Sequence, residues 1–288
     1  MWMRSVYSML LGGTLILGSA LAGATNPWEE IKSTSSQAPA SIGEYTNGCL
    51  SGADRMPLRG EGFQLVRTGR DRHYGNPALT GFLTDFSAQV AGQGLGRLQI
   101  GDMSMARGGP FSYGHRSHQM GLDADIWYAQ DPRSLQRPLT AWERDNIAAK
   151  PLADAKDHLL IEANWDDNVP RILRLAAEDP RVERIFVHPT IKRKLCRIAG
   201  KDNDWLRRIR PWWGHNYHFH VRLACPKGDT NCVAQQPVLN EPCGDDLDWW
   251  FSDEFYALLH GTAPQQEKPK PKPKPPMPQQ CTQVLHSP

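Results

Sequence analysis

Residues 107–128, RGGPFSYGHRSHQMGLDADIWY, restrict the possible fold more than any other stretch of this chain. A Gly-Gly-Pro turn opens it, two histidines three apart follow, and it closes on alternating apolar and acidic residues. Leu122, Ala124 and Ile126 face one way and Asp123 and Asp125 the other, the alternation expected of a half-buried strand. His118 and Asp125 lie seven apart, with Gly121 between them where the chain can bend. A loop imidazole and a strand carboxylate can then converge on one point. Divalent metals take such sets, and catalytic zinc holds three protein ligands with a further position for water. The third ligand has to come from elsewhere. Residues 214–221, GHNYHFHV, offer it, because His218 and His220 sit at strand spacing and point to one side. A lone His-x-His is common, and a histidine beside glycine often only hydrogen-bonds backbone. Here five of the ten histidines (115, 118, 215, 218, 220) fall in the two stretches, which points to a metallohydrolase.

The rest of the chain says where such an enzyme works. Met1–Arg4 is a short basic start, Met9–Leu21 a small apolar run, and Ala20-Leu21-Ala22 or Ala22-Gly23-Ala24 a cleavage site of small residues. The run is too short for a comfortable permanent span, so residues 1–24 are expected to be a signal peptide, leaving no integral membrane segment. Six cysteines then pair as disulfides in an oxidising compartment. Six cysteines allow fifteen connectivities. Only Cys225 with Cys232, seven apart around Lys227-Gly228-Asp229, has local support. Cys196 with Cys243 and Cys49 with Cys281 would complete one set, the last tying the tail into the fold. A net charge of +2 gives no footing for nucleic acid and does not oppose an anionic substrate. The sequence is silent on oligomeric state.

Read in order, residues 25–48 are an extended arm rich in Ser, Thr, Ala and Pro, and Cys49 opens the ordered part. A strand over 62–68, a helix over 77–91 and a strand over 97–103 precede the organising stretch. The helix carries Leu79, Phe82, Leu83, Phe86 and Val90 at helical spacing. Residues 131–151 form a polar surface insertion that could wall a groove. Asp154, Asp157 and His158 make either a weak second metal site or nothing chemical. A helix over 169–177, a strand over 184–187 ending at a structural His188, and a basic helix over 192–199 follow. Trp212 and Trp213 are core or groove wall, while Tyr217 and Phe219 are core. These elements make an α+β fold, a central antiparallel sheet with flanking helices and long loops. Residues 262–288 form a Pro/Lys-rich tail whose EKPKPKPKPPMP run is polyproline II-like.

HRSHQMGLDAD, followed about ninety residues later by GHNYHFHVRL, resembles the penicillin-insensitive murein endopeptidases. These sit in a wider metallopeptidase group with lysostaphin-type enzymes, D-alanyl-D-alanine peptidases and the hedgehog domain. The resemblance runs from about Cys49 to about Phe255, and implies a metallopeptidase domain over 49–261 with that group's fold. The group's His-x6-Asp motif and later histidine imply zinc held by His118, Asp125 and His220. His115 could ligate a second divalent ion or hold the water. The D-alanyl peptidases place a glutamate near the last histidine; here His215 and His218 stand there instead. His218 is therefore the leading base or transition-state donor, with His215 in the other role. Asp123 could orient a ligand histidine, and Arg107 could bind a substrate carboxylate or be solvated. The implied reaction is cleavage of the D-alanyl–meso-diaminopimelyl cross-link of peptidoglycan in a Gram-negative periplasm. No Ser-x-x-Lys occurs in the mature chain, so no acyl-enzyme is expected and penicillin should not inhibit. Two readings compete: a D,D- or L,D-carboxypeptidase on stem peptides, and a non-catalytic wall-binding domain with a structural metal. A general secreted metalloprotease is weaker, since His-Glu-x-x-His is absent.

Overall fold

Short apolar runs broken by turn residues produce eleven strands in the computed structural model, which describes residues 25–263, 273 and 275–288. The expected signal peptide and most of the lysine-proline run lie outside these residues. In chain order the strands are β1 (Ala40–Glu44), β2 (Asn47–Ser51), β3 (Asp54–Arg55), β4 (Arg59–Gly60), β5 (Phe63–Leu65), β6 (Tyr74–Gly75), β7 (Leu98–Ile100), β8 (Asp123–Trp127), β9 (Val182–Val187), β10 (Ile209–Pro211) and β11 (His218–Leu223). The helices are α1 (Pro27–Glu30), α2 (Pro77–Gly92), α3 (Pro132–Gln136), α4 (Ala141–Asn146), α5 (Asn168–Glu178), α6 (Pro189–Ala199), α7 (Asp245–Asp248), α8 (Asp253–Leu259) and α9 (Gln279–His286). Seven strands join in the order β10-β9-β11-β8-β7-β5-β4.

The α+β class holds, but the sheet is mixed rather than antiparallel. β5 pairs parallel with β7, and β10 parallel with β9. In both cases a helix, α2 or α6, connects the two strands, and a crossover of that kind returns the chain in the same direction. The centre, β9-β11-β8-β7, is antiparallel.

Register then divides the sheet into two chemically distinct faces. Val221 lies opposite both Ala124 and Ile185, and Phe219 opposite Ile126. These residues pack into one core with Phe82, Leu83 and Phe86 of α2, Leu173 of α5 and Leu195 of α6, so the helices cover this face. Alternation puts Asp123 and Asp125, His218, His220 and Arg222, and Arg184 and Phe186 on the other face. β8 is buried along its whole length rather than half-buried, because loops cover its polar face as well.

The arm expected over 25–48 is not extended throughout. α1 buries Trp28, and β1 pairs with β2 as a hairpin. Trp28, Ile42 and Met105 form a small second core with Cys49, Cys281 and Val284, so both terminal segments are folded in. The disulfides are Cys49–Cys281, Cys196–Cys243 and Cys225–Cys232.

His188, read as structural, caps α6 by accepting the backbone N–H of Thr190, and its ring meets that of His158 edge to face. Burial, with the neighbouring His158, pushes its imidazole down to about 3. Its folded value lies below the ordinary one near 6.5, so the unfolded chain takes up the proton first as pH falls. Stability is therefore unaffected above about pH 6.5 and declines between there and about pH 3, by on the order of 5 kcal/mol for this group. His188→Asn keeps a capping acceptor and removes the titration. Thermal unfolding from pH 7 to 4 should show a flatter pH dependence for H188N, whereas identical slopes would disprove this origin.

Candidate metal centre

Two strained loops bring the imidazoles to the polar face of β8 and β11. His118 and His215 both occupy the left-handed region, with φ of 67° and 55°. Non-glycine residues rarely sit there unless surrounding structure enforces it. For His118 the enforcement is visible. Its backbone N–H reaches Asp123 Oδ2 at 3.2 Å, and its Nδ1 lies 3.0 Å from the Met103 carbonyl. That second contact leaves Nε2 facing the cluster. Just beyond, Gly121 turns with φ of 72°, where a Cβ would meet Leu50 at 2.5 Å and the Asn76 nitrogen at 2.8 Å.

Four imidazoles surround one carboxylate. His118 Nε2, His218 Nε2 and His220 Nδ1 lie 3.4, 3.5 and 3.6 Å from Asp125 Oδ1, and His115 Nε2 lies 3.6 Å from Oδ2. His118 Nε2 and His220 Nδ1 are 3.3 Å apart. The nitrogen–carboxylate distances exceed ordinary hydrogen-bond lengths. Asp125 Oδ1 is buried yet has no hydrogen-bond partner. Buried acceptors are normally satisfied, so donors spaced around a common point fit a cation better than they fit one another. Among the described residues, His115, His118 and Asp125 bring ligand atoms close enough to share an ion, and His220 Nδ1 stands within 3.6 Å of both His118 Nε2 and Asp125 Oδ1.

Supporting groups set each ring. His220 Nε2 meets Asp123 Oδ1 at 2.6 Å, and Arg222 Nε meets the same oxygen at 2.6 Å. This is the carboxylate–histidine pairing that directs the other nitrogen toward a metal. His115 Nε2 lies 2.9 Å from Asp102 Oδ2, which also takes Arg70 at 2.9 Å and Arg72 at 3.2 Å. His215 Nδ1 is 2.7 Å from the Trp213 carbonyl, and its ring stands 5.0 Å from that of His218.

Protonation follows from this packing. Burial would raise the Asp125 carboxyl, but His218, His115 and His118 hold it well below the carboxylate range. Burial would likewise raise Asp123, and Arg222 and His220 hold it down. Burial, reinforced by His118, pushes His220 down to about 4. Burial lowers His218 despite Asp125, and lowers His215 well below its usual value with help from His218 and His220. His115 goes up: burial opposes its charge, but Asp125 and the Asp102 hydrogen bond prevail.

The five histidines of the two stretches thus gather around Asp125, whereas His158 and His188 pack on one another elsewhere. Asp102 was missed, since it belongs to no histidine motif and arrives only because β7 pairs beside β8; its backbone carbonyl accepts the Asp125 N–H. Arg107 is neither solvated nor placed for substrate. It is buried and donates to the carbonyls of Ser33, Val284, Leu285 and Ser287. Asp154 spends Oδ1 on the backbone N–H groups of Lys156 and Asp157, and His158 packs on His188 and Phe255, so both are structural. Tyr217, expected in the core, is 41% exposed, whereas Phe219 is buried.

Two clefts flank the centre and share His115. One, of about 230 Å³, is lined by Arg67, Arg70, Asp102, Trp127 and Tyr217, with Ala148 and Ala149 of the insertion as its wall. The other, of about 550 Å³, runs along β9 past Arg184, Phe186, Trp212, Trp213 and His215. The tryptophan pair is therefore groove wall.

A sequence model of the penicillin-insensitive murein endopeptidase family matches residues 41–286. The chain is 42% identical over 265 residues to the penicillin-insensitive murein endopeptidase of Haemophilus influenzae, covering 91% of this chain and 88% of that protein. It is 41% identical over 240 residues to the protein of that name from Klebsiella pneumoniae (82% and 85%), and 39% identical over 274 residues to that from Escherichia coli (94% of each).

Proposed function

We infer the function from one premise: the chain belongs to the penicillin-insensitive murein endopeptidase family. It is a peptidoglycan-hydrolysing endopeptidase, working as a zinc enzyme on the D-alanyl–meso-diaminopimelyl cross-link in the periplasm, with the lysostaphin/hedgehog-type fold. The observation that carries this reading is the buried, unpartnered Asp125 oxygen within a ring of imidazoles, set between two open clefts. An enzyme that cuts inside a cross-link must seat chain on both sides of the scissile amide. A carboxypeptidase needs only one long cleft, so the paired clefts favour the endopeptidase. The catalytic unit extends beyond the expected 49–261 to take in the β1–β2 hairpin and α9, in keeping with the family match over 41–286. Among the described residues no helix is long and apolar enough to cross a membrane.

His118, Asp125 and His220 would hold the ion, with His115 as the additional donor. When bound, zinc supplies a water acidic enough to attack at neutral pH and polarises the carbonyl. Asp123, backed by Arg222, keeps His220 Nε2 occupied and Nδ1 inward. Asp102 holds His115. His215 directs Nδ1 at the Trp213 carbonyl, so a neutral ring presents a bare Nε2 and can take a proton. His218, at the Asp125 edge, donates to the developing oxyanion.

The test is conversion of a purified cross-linked muropeptide dimer to monomers. Activity should vanish with a chelator, return on adding zinc, and persist in penicillin. An intact dimer with zinc still bound would sink the enzyme reading and leave a wall-binding domain.

A further inference from the structure

We propose that the cleft along β9 is a carboxylate-recognising subsite, in which Arg184, aided by Arg116, binds a free carboxylate of the peptide stem and sets substrate specificity. The proposal rests on the endopeptidase reading and names the group that reading's substrate must present. Arg116, Arg184 and Arg222 line this cleft, and no acidic side chain does. Arg222 is already satisfied, by Asp123 and by Gln235 Oε1 at 3.1 Å. Arg184 is not. It donates only to the Gln236 carbonyl, its Nε is buried without a partner, and it forms no ion pair with a carboxylate among the described residues. Burial, then Arg222 and Arg210, opposes its charge, although Glu183 favours it. An incoming carboxylate would relieve that cost, and a guanidinium fork matches a carboxylate in two parallel hydrogen bonds.

Placement fixes where the carboxylate sits. Arg184 lies opposite Arg222, and Phe186 opposite His220, on the same face. Arg184 is thus one pleat repeat, roughly 7 Å, beyond the centre. That distance reaches a group on the residue carrying the scissile amide or the next one. A diaminopimelyl residue keeps such a carboxylate beside its cross-linked amine, whereas in an amidated stem the charge is gone. Trp212, 53% exposed, and Phe186 flank the site with their rings 6.0 Å apart.

The experiment compares two cross-linked dimers that differ only in carrying a diaminopimelyl carboxylate or carboxamide, with wild type and with Arg184→Met. Wild type should prefer the carboxylate by about 10- to 100-fold in kcat/KM, chiefly through KM. In R184M the ratio should fall to about one, with Arg184→Lys between. The wild-type comparison needs no variant, so a folding defect cannot hide the answer. A wild-type ratio near one, or an R184M ratio unchanged from wild type, overturns the subsite while the endopeptidase reading stands. Failure of wild type to cut either dimer overturns both.

Discussion

Asp125→Asn is expected to lower kcat/KM on a cross-linked dimer by about 10³-fold or more and to strip the protein of zinc. The carboxylate is the one that all four imidazoles face, at 3.4 to 3.6 Å from each, whereas Asp123 and Asp102 each hold a single ring. An amide keeps the shape but loses the charge, and one of the two acceptor oxygens is replaced by an NH2 hydrogen-bond donor facing rings that already crowd it. His220→Ala should be comparably damaging, since it removes a ligand. Asp123→Asn makes the informative contrast. It touches no reacting atom, so its cost should stay within about 10- to 100-fold and appear partly as weaker zinc binding. Bound zinc, measured by elemental analysis after dialysis, should fall in the order wild type, D123N, D125N. Full zinc occupancy in D125N would place the metal elsewhere.

The centre was legible because its donors lie in two short stretches whose strand alternation is written in the residues. LDADIW and HFHV each place polar side chains at every second position, so that Asp123 and Asp125 share one face of their strand, and His218 and His220 one face of theirs, needs no knowledge of the fold. What joins them is invisible locally. The pairing of His220 with Asp125 comes from long-range register, and Asp102 reaches His115 only through the neighbouring strand. The parallel pairs are hidden for a similar reason: the direction of β5 and β7 is set by the helix that joins them, not by the residues of either strand. Arg107 looked solvated beside two glycines, because nothing near it in sequence shows the C-terminal carbonyls that it binds. Composition misled at the ends: a Ser-, Thr- and Pro-rich arm holds Trp28, which anchors a small core with Cys281.

That terminal clasp gives the largest expected stability effect. Removing Cys49–Cys281 by a Cys49→Ser, Cys281→Ser double substitution should destabilise the protein by about 5 kcal/mol. The cross-link joins residues 232 apart, so in the chain-entropy account it restricts the unfolded state far more than Cys225–Cys232, seven apart, for which about 2 kcal/mol is expected. For a domain of this size the loss corresponds to roughly 10–20 °C in melting temperature. The damage should not stay at the terminus. Freed α9 loosens its hold on Arg107, whose backbone carbonyl accepts the Leu50 N–H, and Leu50 packs against the Gly121 turn behind His118. Zinc should therefore leave the double variant faster than wild type, under conditions where both are still folded. Thermal unfolding with and without reductant, beside a chelator-driven zinc-release assay, reads both effects. A melting temperature within about 2 °C of wild type would show that α9 is held by its buried contacts and Arg107 alone.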